Sequence, residues 1–438
     1  MKFLGWIVCL FSMVALPAIA ESGETDIRYR SVVYLFPQQS APNMQSIPAL
    51  FKGYESVEAL PKTAMKPTIR FALETDVAKN YPVPDPSYLS YFGRGLTKIQ
   101  VEQIQAATTG VMIDVAYPVD HALKGLKFVS QKVHEFAELN GGLIWDSETR
   151  ELFTPDEWKA KRIDSWVGEY PSVEDHTVIH SYREGEGVRA ITLGMAKFGV
   201  PDVVVNNFSW SVNRSMGELV NLVSQSLVEG IRPHRNGVLS LNIEMLNDTR
   251  FKQQLTASLY ENALLQFDLP TSEAQWFEGD PYNLLLEIRF DDRPGHNLSE
   301  KQENLLSELF GWEDNITYIK HNREIEEASA RARQKLENLK QDFNAGLEPG
   351  EYILLKAPFT TDDGGNEWMW VEVLAWKSGT INGLLKNEPY HIKGLKAGAE
   401  VEISQSDVFD YLRQFADGRS EGNETGELIM KYQSAKKN

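Results

Sequence analysis

Thiol chemistry is almost missing from this chain: of its 438 residues one is cysteine, Cys9. Cys9 sits inside an apolar run from Phe3 to Leu16 that follows Lys2 and precedes Ala18-Ile19-Ala20. A basic start, a short apolar core and small residues at a cleavage point make residues 1–20 a secretory signal peptide, and the run is short of the ~20 residues that span a bilayer. Cleavage after Ala20 removes the thiol. A mature chain without cysteine excludes disulfides, Cys-ligated zinc, iron–sulfur clusters and cysteine nucleophiles. Positive charge is also scarce, 44 Lys+Arg against 62 Asp+Glu for a net charge of -18. An acidic chain without a basic patch repels phosphate backbones and anionic lipid headgroups, so no nucleic-acid partner is expected. No later segment is long and apolar enough to span a bilayer, so no membrane insertion is expected once the signal is cleaved.

What is present is apolar bulk, 42% hydrophobic and 11% aromatic residues, enough for folded cores over about three domains. From Asp26 to about Asn213 strands alternate with helices. Leu126, Val129, Val133 and Phe136 recur at helical spacing, and Gly141-Gly142 ends that helix. Thr154-Pro155-Asp156-Glu157 is a helix start, with a capping hydroxyl, a proline at the first helical position and a reciprocal Glu. A second module, 214–319, opens on a Ser215/Glu218 capping box and carries alternating strands at Leu239 to Met245 and Leu284 to Phe290. Helices mixed with antiparallel strands give an α+β, multidomain class. Ile325, Ala328, Ala332, Leu336, Leu339 and Phe343 form a narrow stripe on a charged helix, 324–345, read as a linker between domains. The last unit, 346–438, reads as a curled antiparallel sheet of about five strands, with a helix over Asp407 to Phe415.

In that last unit Lys356-Ala357-Pro358-Phe359, Glu367, Met369-Trp370-Val371, Gly383, Asn387, Pro389, Gly394-Leu395-Lys396, Gly398 and Asp410 occur in an order and spacing that resembles the YegJ-like proteins, a bacterial domain family of unknown function. The resemblance covers about a quarter of the chain. It departs at Trp368, where the family pattern has His, and at Tyr411, where it has Trp. Gly141-Gly142-Leu143-Ile144-Trp145-Asp146 and the segment from Thr192 to Asp202 look like companion modules of similar uncharacterised bacterial proteins. The family implies no activity; the signal peptide implies a periplasmic or extracellular location.

Candidate chemistry is thin. His176 and His180 lie on a β-branched stretch, where residues four apart are ~13 Å apart, too far for one metal ion. No Gly-x-Ser-x-Gly occurs, and Glu184-Gly185-Glu186-Gly187 is a turn and not a phosphate loop. Asp291, Asp292 and His296 form the densest ionisable cluster, a weak acid/base candidate that turn chemistry explains equally well. Strand parity places Trp368, Trp370 and Trp376 on one face, either a core or a binding surface bordered by Lys356, Asn387 and Tyr390. No metal and no cofactor is expected. The reading is a binding or interaction protein with an unknown protein or small-ligand partner and no catalysis; the alternatives are an envelope hydrolase using carboxylates or His, and an immunity-type inhibitor.

Overall fold

The computed structural model describes residues 26–40, 42, 44–45, 47–184, 187–209, 212–310, 323–362, 364–389, 391–416 and 418–428. The expected signal peptide, residues 1–20, lies outside the described residues. The chain is a multidomain α+β protein built on three main sheets.

The first sheet comprises β1 (Asp26–Leu35), β2 (Glu55–Ser56), β3 (Thr68–Glu74), β4 (Gly93–Arg94), β5 (Gly110–Pro118), β6 (Gly142–Asp146) and β7 (Glu151–Phe153), in the order β2-β3-β5-β1-β6-β7-β4. Its central strand reads Val32-Val33-Tyr34-Leu35 without alternation because both faces are covered. Val33 and Leu35 join one core with Leu126, Val129, Val133 and Phe136, the stripe of the helix Ala122–Asn140. Val32 and Tyr34 join another with Leu89, Val101 and Ile104. The helix ends as its glycines require, on Gly141 in the left-handed conformation (φ 66°). Within it Gly125 lets the Tyr117 ring pack against the backbone, since a Cβ there would lie 2.8 Å from that ring.

After the short ribbon β8 (Trp166–Val167) and β9 (Tyr170–Pro171), the second sheet comprises β10 (Val178–Glu184), β11 (Gly187–Leu193), β12 (Asp202–Phe208), β13 (Val238–Asn242), β14 (Gln266–Glu273) and β15 (Leu285–Ile288). Its order is β10-β11-β12-β15-β14-β13, with β12 and β15 parallel. The expected domain boundary at 213/214 therefore falls inside one sheet. Strands on both sides of it pair, and one continuous core runs from Ile27 to Leu309.

The third sheet is antiparallel throughout: β16 (Tyr352–Thr360), β17 (Asn366–Lys377), β18 (Thr380–Leu385), β19 (Glu400–Ser404), β20 (Asp410–Gln414) and β21 (Ser420–Gly422), in the order β19-β18-β17-β16-β20-β21. The helix Arg323–Ala345 buries Ala332, Leu336 and Leu339 against Ile353, Leu355, Met369 and Val371. The later part of its stripe, Ala332 to Phe343, is covered by this sheet, so the helix belongs to the C-terminal unit. The expected helix over Asp407 to Phe415 is a single 3-10 turn, Gln405–Asp407, followed by β20, because pairing with β16 outweighs local spacing. Hydrogen bonds tie this unit to the first: the Lys98 side-chain Nζ donates to Ala345 O at 3.2 Å, and Gly350 N donates to Ser90 O at 2.7 Å. Among the described residues no helix is long and apolar enough to cross a membrane.

Candidate functional site

Asp291, Asp292 and His296 do not form a pocket. All three are exposed on the turn after β15. Arg289 Nε donates to Asp291 Oδ2 at 3.0 Å, and that hydrogen bond lowers the Asp291 carboxyl below its usual range. Asp292 pairs with Arg293 at 3.6 Å, and His296 uses its backbone N–H to cap onto Glu300 Oε2 at 2.8 Å. These are the bonds of a solvated turn.

His176 and His180 are likewise separated by their surroundings. His176 is buried between Trp166 and Phe198, and its Nε2 lies 3.3 Å from Ser165 Oγ. Ser165 already donates its proton to Lys161 O, so Nε2 carries the histidine proton. Burial keeps this imidazole neutral. His180 packs on Phe92, with its pKa pushed down to about 4 by burial and by Arg150. Among the described residues no three His, Asp or Glu side chains gather as a metal ion requires.

The tryptophan strand departs from simple alternation. From Glu367 to Val373 the parity holds: Met369, Val371 and Val373 are buried under the helix, and Trp368, Trp370 and Glu372 lie half-buried on the other face. A register shift between Val373 and Ala375 then inserts one residue and reverses the parity. Trp376 is consequently 1% exposed, inside the core, with its Nε1 donating to Gln405 Oε1 at 2.9 Å. It leaves the expected surface. Tyr390, expected at the border, lies outside the described residues.

The face opposite the helix keeps a compact arrangement. Cross-strand pairing sets Lys356 between Trp370 on β17 and Asp410 on β20. The Lys356 ammonium lies 5.5 Å from the Trp370 ring centroid, within cation–π range. Burial lowers the Lys356 pKa, and Asp410 partly offsets this. Asp410 is buried and its carboxyl is pushed up by that burial, but its oxygens are occupied: Oδ1 accepts from Tyr411 N at 2.8 Å and Oδ2 from Thr425 N at 2.9 Å. Trp368 packs on Phe409 at 4.4 Å. Asn387 Oδ1 accepts from Trp370 N at 2.6 Å, so Asn387 holds the strand end in place, and Lys386 pairs with Glu372 at 2.8 Å. Two indoles, an ammonium and an anchored strand end can hold an apolar or aromatic group on a rigid surface.

Sequence reasoning missed a second constellation. Asp146 at the end of β6 accepts from Lys197 Nζ at 2.6 Å and from Arg162 Nη2 at 3.1 Å, all three side chains being buried. Arg162 also meets Glu151 Oε2 at 3.1 Å. A π-turn, Lys159–Ile163, delivers Arg162 into the cluster. Beside it burial and Asp146 push the Glu148 carboxyl up to about 7, and burial raises Asp202 to about 6. The available signal was the pair of motifs themselves, since Asp146 ends the first and Lys197 and Asp202 lie in the second.

No curated protein and no solved structure matches the chain. Residues 322–437, the helix and the third sheet, match the model of a family described as an uncharacterized protein conserved in bacteria (DUF2314), and this bears out the resemblance of the C-terminal unit to a bacterial domain of unknown function.

Proposed function

We propose that this is an exported protein of bacterial envelope type that works without catalysis, holding a protein or small-ligand partner on the open face of its C-terminal sheet. The observation that carries this reading is the pairing of Trp370 with Lys356 on the sheet face left by the helix, while Met369 and Val371 on the same strand fill the core. Half-buried aromatic and cationic side chains on one face are what recognition surfaces use. The hydrolase alternative has no comparable support, because its carboxylates and histidine lie exposed along one turn.

Two variants of the full chain test it. Trp376→Ala removes a filled core position and costs about 3–5 kcal/mol. Trp370→Ala should cost less than about 2 kcal/mol and leave the fold intact, yet abolish capture of the partners that the wild type retains from envelope extracts. If Trp370→Ala unfolds the sheet as Trp376→Ala does, Trp370 is core and the surface reading fails.

A further inference from the structure

Between β14 and β15 the chain makes a long connection, residues 274–284, where an antiparallel pair is usually closed by about 2–5 residues. The loop is braced from beneath. Arg189 on β11, fully buried, places Nη2 2.7 Å from Asp280 Oδ2 and 3.1 Å from Gln275 O, and its guanidinium lies 4.3 Å from the Phe277 ring centroid. Asp280 Oδ2 also accepts from Phe277 N at 2.9 Å. Asn283 Nδ2 donates to Val200 O at 2.9 Å, and Arg150 Nη2 to Gly279 O at 2.9 Å. Buried ion pairs contribute little net stability, but they fix geometry.

The outer side of this braced loop is apolar and exposed. Trp276 is 45%, Tyr282 85% and Leu284 59% exposed. The two rings are nearly parallel, 20° between planes with centroids 5.9 Å apart. Exposed aromatics held in one geometry are the anchors of interaction surfaces, since little side-chain freedom remains to be lost on binding. The charge around them selects the partner. Arg189 is neutralised by Asp280 beneath the surface, Glu273 and Glu278 are exposed on the same stretch of chain, and the chain as a whole carries -18.

We propose that the loop 274–284 is a docking surface for a basic segment of a partner protein, whose arginine or lysine side chain lies on the Trp276 and Tyr282 rings with Glu278 as counter-charge and an apolar neighbour on Leu284. The cation meets the negative ring face, and the long-range field of the acidic chain steers it there.

The test uses the full chain and a synthetic peptide of alternating arginine and leucine as probe, with affinity measured by calorimetry at low and at physiological salt. The double variant Trp276→Ala, Tyr282→Ala should bind about tenfold more weakly at both salt concentrations, with an unchanged circular dichroism spectrum. Tyr282→Ala alone, at a side chain too exposed to support the fold, should show a smaller loss in the same direction. Equal binding by wild type and both variants would mean that net charge alone attracts the peptide, and would overturn the proposal. So would failure of the peptide to bind while a neutral oligosaccharide binds the wild type and not the double variant, an outcome that assigns the platform to glycans.

Discussion

Asp146→Ala is the sharpest perturbation available in the first two sheets. The Asp146 carboxylate is buried, accepts from Lys197 Nζ at 2.6 Å and from Arg162 at 3.1 Å, and caps the β6–β7 turn through Glu148 N at 3.0 Å. Burial alone would raise its pKa; Lys197 and Arg162 overcome that and hold it at about 2. Removing it leaves the Lys197 ammonium buried without its carboxylate, whereas Arg162 keeps Glu151 at 3.1 Å. Breaking a buried pair from one side costs about 3–5 kcal/mol. At ~2–4 °C per kcal/mol for a large domain, the melting temperature should fall by about 6–20 °C. Lys197→Met is the matched control. It removes the ammonium but leaves Asp146 with two Arg162 contacts and the Glu148 N–H, so it should cost only about 1–2 kcal/mol. Differential scanning calorimetry on the full chain reads both values. A loss under about 1 kcal/mol for Asp146→Ala, or a larger loss for Lys197→Met, would refute the view that this pair clamps the first sheet to the second.

Two further outcomes follow from single groups. The folded-state pKa of Glu148, about 7, lies above its ordinary value of 4.5, so its contribution is fully present below pH 4.5 and is lost as pH rises through 7. Glu148→Gln should therefore gain on the wild type by up to about 3 kcal/mol between pH 4.5 and 8 in urea titrations, and a constant difference across that range would refute the assignment. The export reading predicts that N-terminal sequencing of the mature protein gives Glu-Ser-Gly-Glu, beginning at residue 21; a retained Met1 in membrane fractions would contradict it.

Local chemistry is where sequence and structure agree most closely. The Ala122–Asn140 helix follows its stripe and stops at Gly141, and Thr154 caps Pro155–Trp158 by accepting from Glu157 N. Errors arise where distant strands decide the outcome. Ser215 and Glu218 look like a capping box, but the helix starts earlier, at Asn213, and Ser215 is buried within it. The continuity across 213 was invisible because parallel pairing of β12 with β15 joins segments about 80 residues apart. The Trp376 reversal did leave a trace. Gly383 pairs with Val373 at the register shift, and a Cβ on it would collide with Glu372 O. A glycine inside a strand is a standing sign of a bulge or of close backbone approach, and it was present in the motif.

The two motifs of the first half acquire a shared purpose only when their residues are placed together. In one, Gly142 admits the backbone of β1, since a Cβ there would lie 2.8 Å from Tyr34 O, and the strand then carries Asp146 to its C-terminal end, between β1 and β7. In the other, Gly194 takes φ 108° so that a 3-10 turn can send Lys197 back to Asp146, and Thr192 and Met195 N bind Asp202 at 2.8 and 3.2 Å. Both carboxylates are buried, and Asp202 further fixes Asn283 at 2.8 Å, the base of the 274–284 loop. The buried charges thus form one chain of contacts from β6 through the Lys197 turn to the loop that displays Trp276 and Tyr282. Buried groups bonded to one another in this way position the surface; on the readings proposed above, the outward-facing Trp276 and Tyr282, and Trp370 in the C-terminal unit, are the groups that would meet a partner.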